Sequence, residues 1–158
     1  MNISWTVWGG LLNLSLFGLV IWTLCVTHIT IQMVTVYLHR TVAHTSLYLN
    51  PYVSHFFRFW NWLTTGMTVK DWAAIHRKHH GKVDTRDDPH SPITKGKFYI
   101  LCMGVIEYVK EAKNAETIQK YGHNTPNDWI EKNLYTPHNH LGVGVFLGIL
   151  NVTLFGLL

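Results

Sequence analysis

The chain has little charge, and none where its apolar runs lie. Charged residues make up 14% of the 158, well below the roughly 25% usual for soluble domains. Residues 1–39 and 133–158 contain no Lys, Arg, Asp or Glu. That deficit points away from an ordinary soluble domain and toward a membrane protein. Cysteine is almost absent: only Cys25 and Cys102 occur, so there is no disulfide framework, and both are read as reduced packing residues. Carboxylates are scarce as well, nine against eleven histidines, an imbalance that favours metal binding over acid–base pairing. The net charge of +4 forms no basic stripe, because acids are interleaved with the bases, and this argues against a nucleic-acid partner. The N-terminus lacks a basic n-region and a small-residue cleavage site, so it does not read as a secretory signal. No internal repeat or low-complexity segment occurs, and residues 1–158 read as a single domain.

What is present is a set of apolar runs around a polar middle. Residues 4–38 are nearly charge-free, whereas a bilayer core takes about 20 helical residues. The run is therefore either one long membrane helix leaving the bilayer near Tyr37, or a hairpin turning between Gly9-Gly10 and Leu14. His28 within it reads as a buried, hydrogen-bonded histidine. Residues 141–158 form a second uncharged run and read as a membrane helix. All thirteen Lys and Arg fall between Arg40 and Lys132. The positive-inside rule then places the middle of the chain, residues 68–133, on the cytoplasmic side of the inner membrane.

Between these runs the chain is aromatic, then polar. Asn50-Pro51 breaks a helix. Residues 52–67 combine Phe56, Phe57, Phe59, Trp60 and Trp62 with Arg58, which suits an interfacial helix or a half-membrane hairpin. The segment 84–92 contains Pro89 and Pro92 and reads as a non-helical loop. Residues 98–120 read as one surface helix whose Glu107, Lys110, Glu111 and Lys113 form a solvated face. Asp128 is placed to cap a short helix through Asn133. The fold expected is all-α: an integral membrane helical protein with a cytoplasmic helical cap.

The chemistry is concentrated in two histidine clusters. His76-Arg77-Lys78-His79-His80 carries three histidines in five residues. On a helix ended by Gly81 they fall within about 100° of one face. A core has little use for three adjacent imidazoles, each with a ring nitrogen to satisfy. Upstream lies His39-Arg-Thr-Val-Ala-His44. On an α-helix these two histidines stand about 140° apart; they share no face, yet both reach an ion beside the helix end. Together the clusters offer five nitrogens, more than one structural zinc takes and enough to begin a two-metal site. Imidazole suits iron, copper or zinc alike. His55, His123 and the group His138-Asn139-His140 read as surface, loop and interface residues.

The two boxes, about thirty residues apart, resemble those of the membrane fatty acid desaturases, in particular the acyl-CoA type as found in bacteria. Trp72, four residues before the second box, and Asp88-Pro89-His90-Ser91-Pro92 after it also match, as does Asn133-Leu134-Tyr135 before the last apolar run. The resemblance implies a partial desaturase fold and an O2-dependent enzyme with two iron ions that places a cis double bond in a fatty acyl-CoA or acyl lipid. It implies two electrons from a ferredoxin or cytochrome b5 type donor. It makes His39, His44, His76, His79 and His80 iron ligands and Trp72 a wall of the acyl tunnel. Arg77 and Lys78 are expected to meet the anionic head group of the substrate, and Asp84, Asp88 and His90 to orient the ligand rings. The family's third box, His-x-x-His-His after a second helix pair, is not in this sequence. The chain thus resembles the N-terminal half of a desaturase, truncated at its C-terminal side, and is expected to be inactive alone. A lipid hydroxylase of the same superfamily shares the boxes, and a non-catalytic membrane metal-binding protein remains a reading of another class.

Overall fold

The computed structural model describes residues 10–156; residues 4–9 of the first apolar run and the last two of the final run lie outside it. Among the described residues every regular element is helical, as the sequence predicts. The first helix, α1, runs unbroken over Leu16–Ala43, with Ser15 capping its N-terminus by accepting from Gly18 N–H. From Leu16 onward the run forms one helix; the first arm of the hairpin alternative, residues 4–9, lies outside the described residues. The helix continues past Tyr37 through His39 of the first histidine box.

At 28 residues α1 is about 42 Å long, and it is long and apolar enough to cross a membrane. Its first part, Leu16–Gln32, has no buried residue and exposes Leu16, Phe17, Leu24 and Ile31. Such a surface suits lipid and not water. The second part, Met33–Ala43, is wound as a π-helix and turns buried Met33, Tyr37, Leu38 and Val42 into the core.

Asn50 does not merely break the chain. Its side chain accepts from Tyr52 N–H at 2.9 Å and Pro51 occupies the first helical position, together starting α2, Pro51–Thr65. Gly66, at φ +66°, ends it. Arg58 lies inward, not toward lipid headgroups. Its guanidinium pairs with Asp128 at 2.8 Å and with buried Glu131 at 2.9 Å. Those two carboxylates sit at the start of α7, a short π-wound helix over Glu131–Tyr135. Asp128 caps it through Glu131 N–H.

Thr68 caps α3, Val69–Gly81, by accepting from Asp71 N–H at 3.1 Å. Buried Val69 and Ala73 of α3 join the α1 core, with Phe57, Trp60 and Trp72 packed around it. Pro92, expected in a loop, instead opens a single turn, α4 (Pro92–Lys95), capped by Ser91. The surface helix expected over 98–120 is two: α5, Lys97–Ala112, and α6, Ala115–Tyr121. The chain breaks between them because Asn114 caps α6 with its own side chain. The last helix, α8, spans Asn139–Phe155 and is apolar but shorter than α1. It crosses α2 so closely that a Cβ on Gly142 would lie 2.1 Å from the carbonyl oxygen of Trp62. Trp62 Nε1 donates to His138 O at 2.9 Å and fixes the same crossing.

Candidate metal centre

The first box works because of how α1 is wound. In a π-helix the hydrogen bond runs from residue i+5 back to i, and His44 N–H donates to His39 O at 3.0 Å. Five residues therefore make about one turn here, not the 140° excess of an α-helix. The two imidazoles stand on the same side, their centres 4.6 Å apart and their planes nearly perpendicular.

The second box uses ordinary α-geometry. His76 and His80 are one turn apart on α3, ring centres 4.6 Å apart. Ala73 and Ala74, both fully buried, are small enough to let α3 approach α1. The rings then face each other in pairs: His39 against His76 and His44 against His80, each at 4.8 Å. One nitrogen from each of the four lies within 4.8 Å of the others. His44 and His80 are exposed, and His39 and His76 partly covered, so the cluster is open on one side.

Arg77 holds the two helices in this register. Its guanidinium donates to the carbonyls of Val42 and Ala43, at 2.8 and 3.1 Å, and to those of Tyr121 and His123, at 2.8 and 2.6 Å. Val42 and Ala43 are the last residues of α1, whose carbonyls have no helical partner of their own. The expectation that Arg77 meets a substrate head group is corrected here, because its fork is spent on four backbone oxygens.

The donor set fits a metal ion. Two nitrogens about 2.1 Å from one ion lie at most about 4.2 Å apart, so small side-chain turns close the 4.8 Å spread. His76 Nε2 is buried and has no hydrogen-bond partner, a costly state unless something binds it. Burial, then the neighbouring imidazoles, push the His76 pKa down to about 3. His44 is lowered by burial and by His39. Neutral imidazole is the form that ligates. Trp72 stacks flat on the His76 ring, centres 4.6 Å apart, and locks its orientation.

His79 does not join the four. Its Nδ1 bonds the Asp88 carboxylate at 2.8 Å, and its ring lies 6.5 Å from His76. Asp88 is fully buried and also accepts from His90 N–H at 2.8 Å and Asp84 N–H at 3.0 Å. Burial alone would raise its pKa, but these donors, His79 foremost, hold it below the usual range. Asp88 is thus bonded to the His79 ring. His90 supports Asp88 through its backbone, and its ring is 6.2 Å from His79. Asp84 makes no hydrogen bond to a histidine among the described residues; its carboxylate accepts from Ser91 Oγ at 2.9 Å, and its part is to support Asp88 through its N–H.

Lys78 points away from the cluster. It pairs with Glu111 at 2.7 Å and borders a polar cavity of about 400 Å³ shared with Lys82, Lys120 and Tyr121. A second cavity, about 260 Å³, is bounded by Trp72, Ile75, His76, His90, Ile100 and Tyr108. The last two residues come from α5 and carried no signal in the sequence, since nothing in a helical pattern says which neighbour a face will meet.

Comparison with known proteins points one way. The chain is 37% identical over 59 residues to Delta-9 acyl-lipid desaturase 1 of Arabidopsis thaliana, covering 37% of this chain and 19% of that protein. It is 35% identical over 66 residues to icosanoyl-CoA 5-desaturase of Limnanthes douglasii, covering 42% and 18%. Delta-9 desaturase-like 4 protein of Arabidopsis thaliana matches at 30% over 95 residues, covering 60% and 30%. The chain therefore spans less than a third of the length of these curated relatives. No family model and no solved structure matches it. Over the matched stretches, the chain that carries this four-histidine cluster is similar to plant acyl-lipid and acyl-CoA desaturases.

Proposed function

We propose that the chain is the histidine-box portion of a membrane fatty acyl desaturase and that His39, His44, His76 and His80 hold one iron ion. The observation that carries this is the convergence of four imidazole nitrogens from two helices within 4.8 Å, in a chain similar to proteins named desaturases. His79 would contribute a ligand to a second ion. Asp88 takes the hydrogen on its Nδ1 and leaves Nε2 as the free donor, the carboxylate–histidine arrangement common at metal sites. What iron supplies when bound is the oxidising power, drawn from O2, to break unactivated C–H bonds.

The protein's own residues bind and orient. The cleft beside His76 takes the acyl chain against Trp72, Ile75 and Ile100, whose apolar surfaces exclude water. The cavity beside Lys78, lined by Lys82 and Lys120 and also by Asp87 and Glu116, takes an anionic head group, of acyl-CoA or of a lipid. It does so chiefly through Lys120, since Lys78 is paired with Glu111 and Lys82 lies near Asp87. A ferredoxin or cytochrome b5 type protein supplies two electrons. The lysine- and arginine-bearing middle of the chain lies on the cytoplasmic side of the inner membrane. Residues 1–158 alone are inactive, because five nitrogens are fewer than two iron ions require.

The test expresses the gene's whole reading frame in a host starved of unsaturated fatty acids. New cis double bonds in its lipids are expected, and hydroxylated chains would favour the related hydroxylase. Newly formed double bonds from residues 1–158 alone would contradict the inactivity. A second reading, a non-catalytic zinc-holding membrane protein, is favoured by the count of four converging nitrogens, which matches a closed zinc site. Tight zinc binding with no iron uptake would establish it.

A further inference from the structure

We propose that α5 is a membrane-surface helix, its outward face seated among anionic lipid headgroups. The inference does not depend on the metal or on desaturation. It starts from where the charges of α5 go. Both of its acids turn inward. Glu107 is buried and paired with Lys95 and Lys110, and Glu111 is paired with Lys78. Apart from Lys110 at the stripe's edge, which is exposed but paired with Glu107, what remains outward is apolar: Phe98, Leu101 and Val105 are 86%, 80% and 76% exposed, with Ile106 and Val109 beside them. At 100° per residue these five span about 140° of the helix without a charge, along a helix of 16 residues, about 24 Å. An exposed stripe of this kind marks an interaction surface.

The rim says what covers it. Lys97 at one end and Lys113 just past the other are exposed and make no ion pair among the described residues. Phe98 and Tyr99 sit at the N-terminal edge, where aromatic side chains favour the headgroup level. An apolar stripe with unpaired lysines at its ends and no outward acid is the pattern of a helix lying in an anionic interface. A protein partner would leave the two lysines seeking acids, whereas lipid phosphates supply them all along the edge. The same chain already carries α1, long and apolar enough to cross a membrane.

The test uses the full chain in mixed phosphatidylcholine–phosphatidylglycerol vesicles, with Cys25→Ser and Cys102→Ser removing native thiols. An environment-sensitive fluorophore is placed at Val105→Cys and, as control, at exposed Gln119→Cys on α6. Both sites are on the surface, so neither change threatens folding. At 105 the proposal expects quenching by shallow doxyl lipids at least about threefold above the control, with protection from iodide. Combining Lys97→Gln with Lys113→Gln should lower the doxyl quenching about twofold in anionic vesicles and leave it unchanged in phosphatidylcholine alone. Iodide quenching equal to the control would overturn the proposal by showing a solvated face. Protection from both iodide and doxyl lipid would overturn it too, by showing that protein covers the stripe. No effect of the lysine substitutions would overturn the anionic preference.

Discussion

The two histidine boxes do the same job on different backbones. The second needs only an α-helix, since His76 and His80 are one turn apart and face the same way by default. The first, His39 and His44, would diverge on an α-helix and is brought together by π-winding at the end of α1. One extra residue per turn is a local distortion, and the α1 terminus is kept in it by Arg77 on the neighbouring helix. The comparison teaches that a ligand spacing has no meaning until the helix type is known.

If the boxes are equivalent, breaking either should cost the same. His39→Ala and His76→Ala are each expected to weaken iron or zinc binding by more than about 100-fold, beyond what losing a supporting residue does. A titration in detergent checks this; a His39 variant that binds normally would leave the second box as the only site. Next in size is Arg77→Ala, which removes the donor to four carbonyls and is expected to destabilise the chain by about 2–3 kcal/mol. Metal affinity should fall with it, through the first box. Arg77→Lys should not rescue, because an ammonium lacks the planar fork. Thermal unfolding read beside metal titration distinguishes the two effects.

The third prediction separates His79 from the four. Asp88→Asn should lower the affinity for a second ion by about 10–100-fold while the four-histidine ion stays bound. Loss of both ions together would show one shared site. The smallest effect concerns pH. Glu107 is held down to about 2, first by Lys95 and then by Lys110. Its unfolded value is near 4.3, so the stability it contributes is present above that value and fades as pH falls toward 2. Glu107→Gln should therefore flatten the acid side of the stability profile, while leaving metal binding at neutral pH as it was.

Much of this architecture is legible in the residues. The charge-free run, the three-histidine face of α3, the break at Asn50-Pro51 and the cap at Asp128 all follow from local rules. The π-winding does not, because eleven residues with ligands at one spacing do not distinguish a turn of 3.6 from a wider one. Arg77 reads as a head-group contact until the end of α1 is placed beside it. The departure of His79 depends on Asp88, nine residues away, folding back under α3. The break between α5 and α6 was available in principle, since Asn114 precedes Thr117 at capping distance. The strong pattern of charges on either side hid it.

The central claim is that two helices share one ion. The most direct measurement is X-ray absorption at the iron edge, comparing the loaded chain with its His39→Ala, His44→Ala double variant. With one equivalent of iron per chain, the account predicts about four imidazole nitrogens near 2.1 Å in the parent and the loss of two, or of the metal itself, in the variant. An unchanged nitrogen shell in the variant would contradict it, because the ion would then belong to α3 alone.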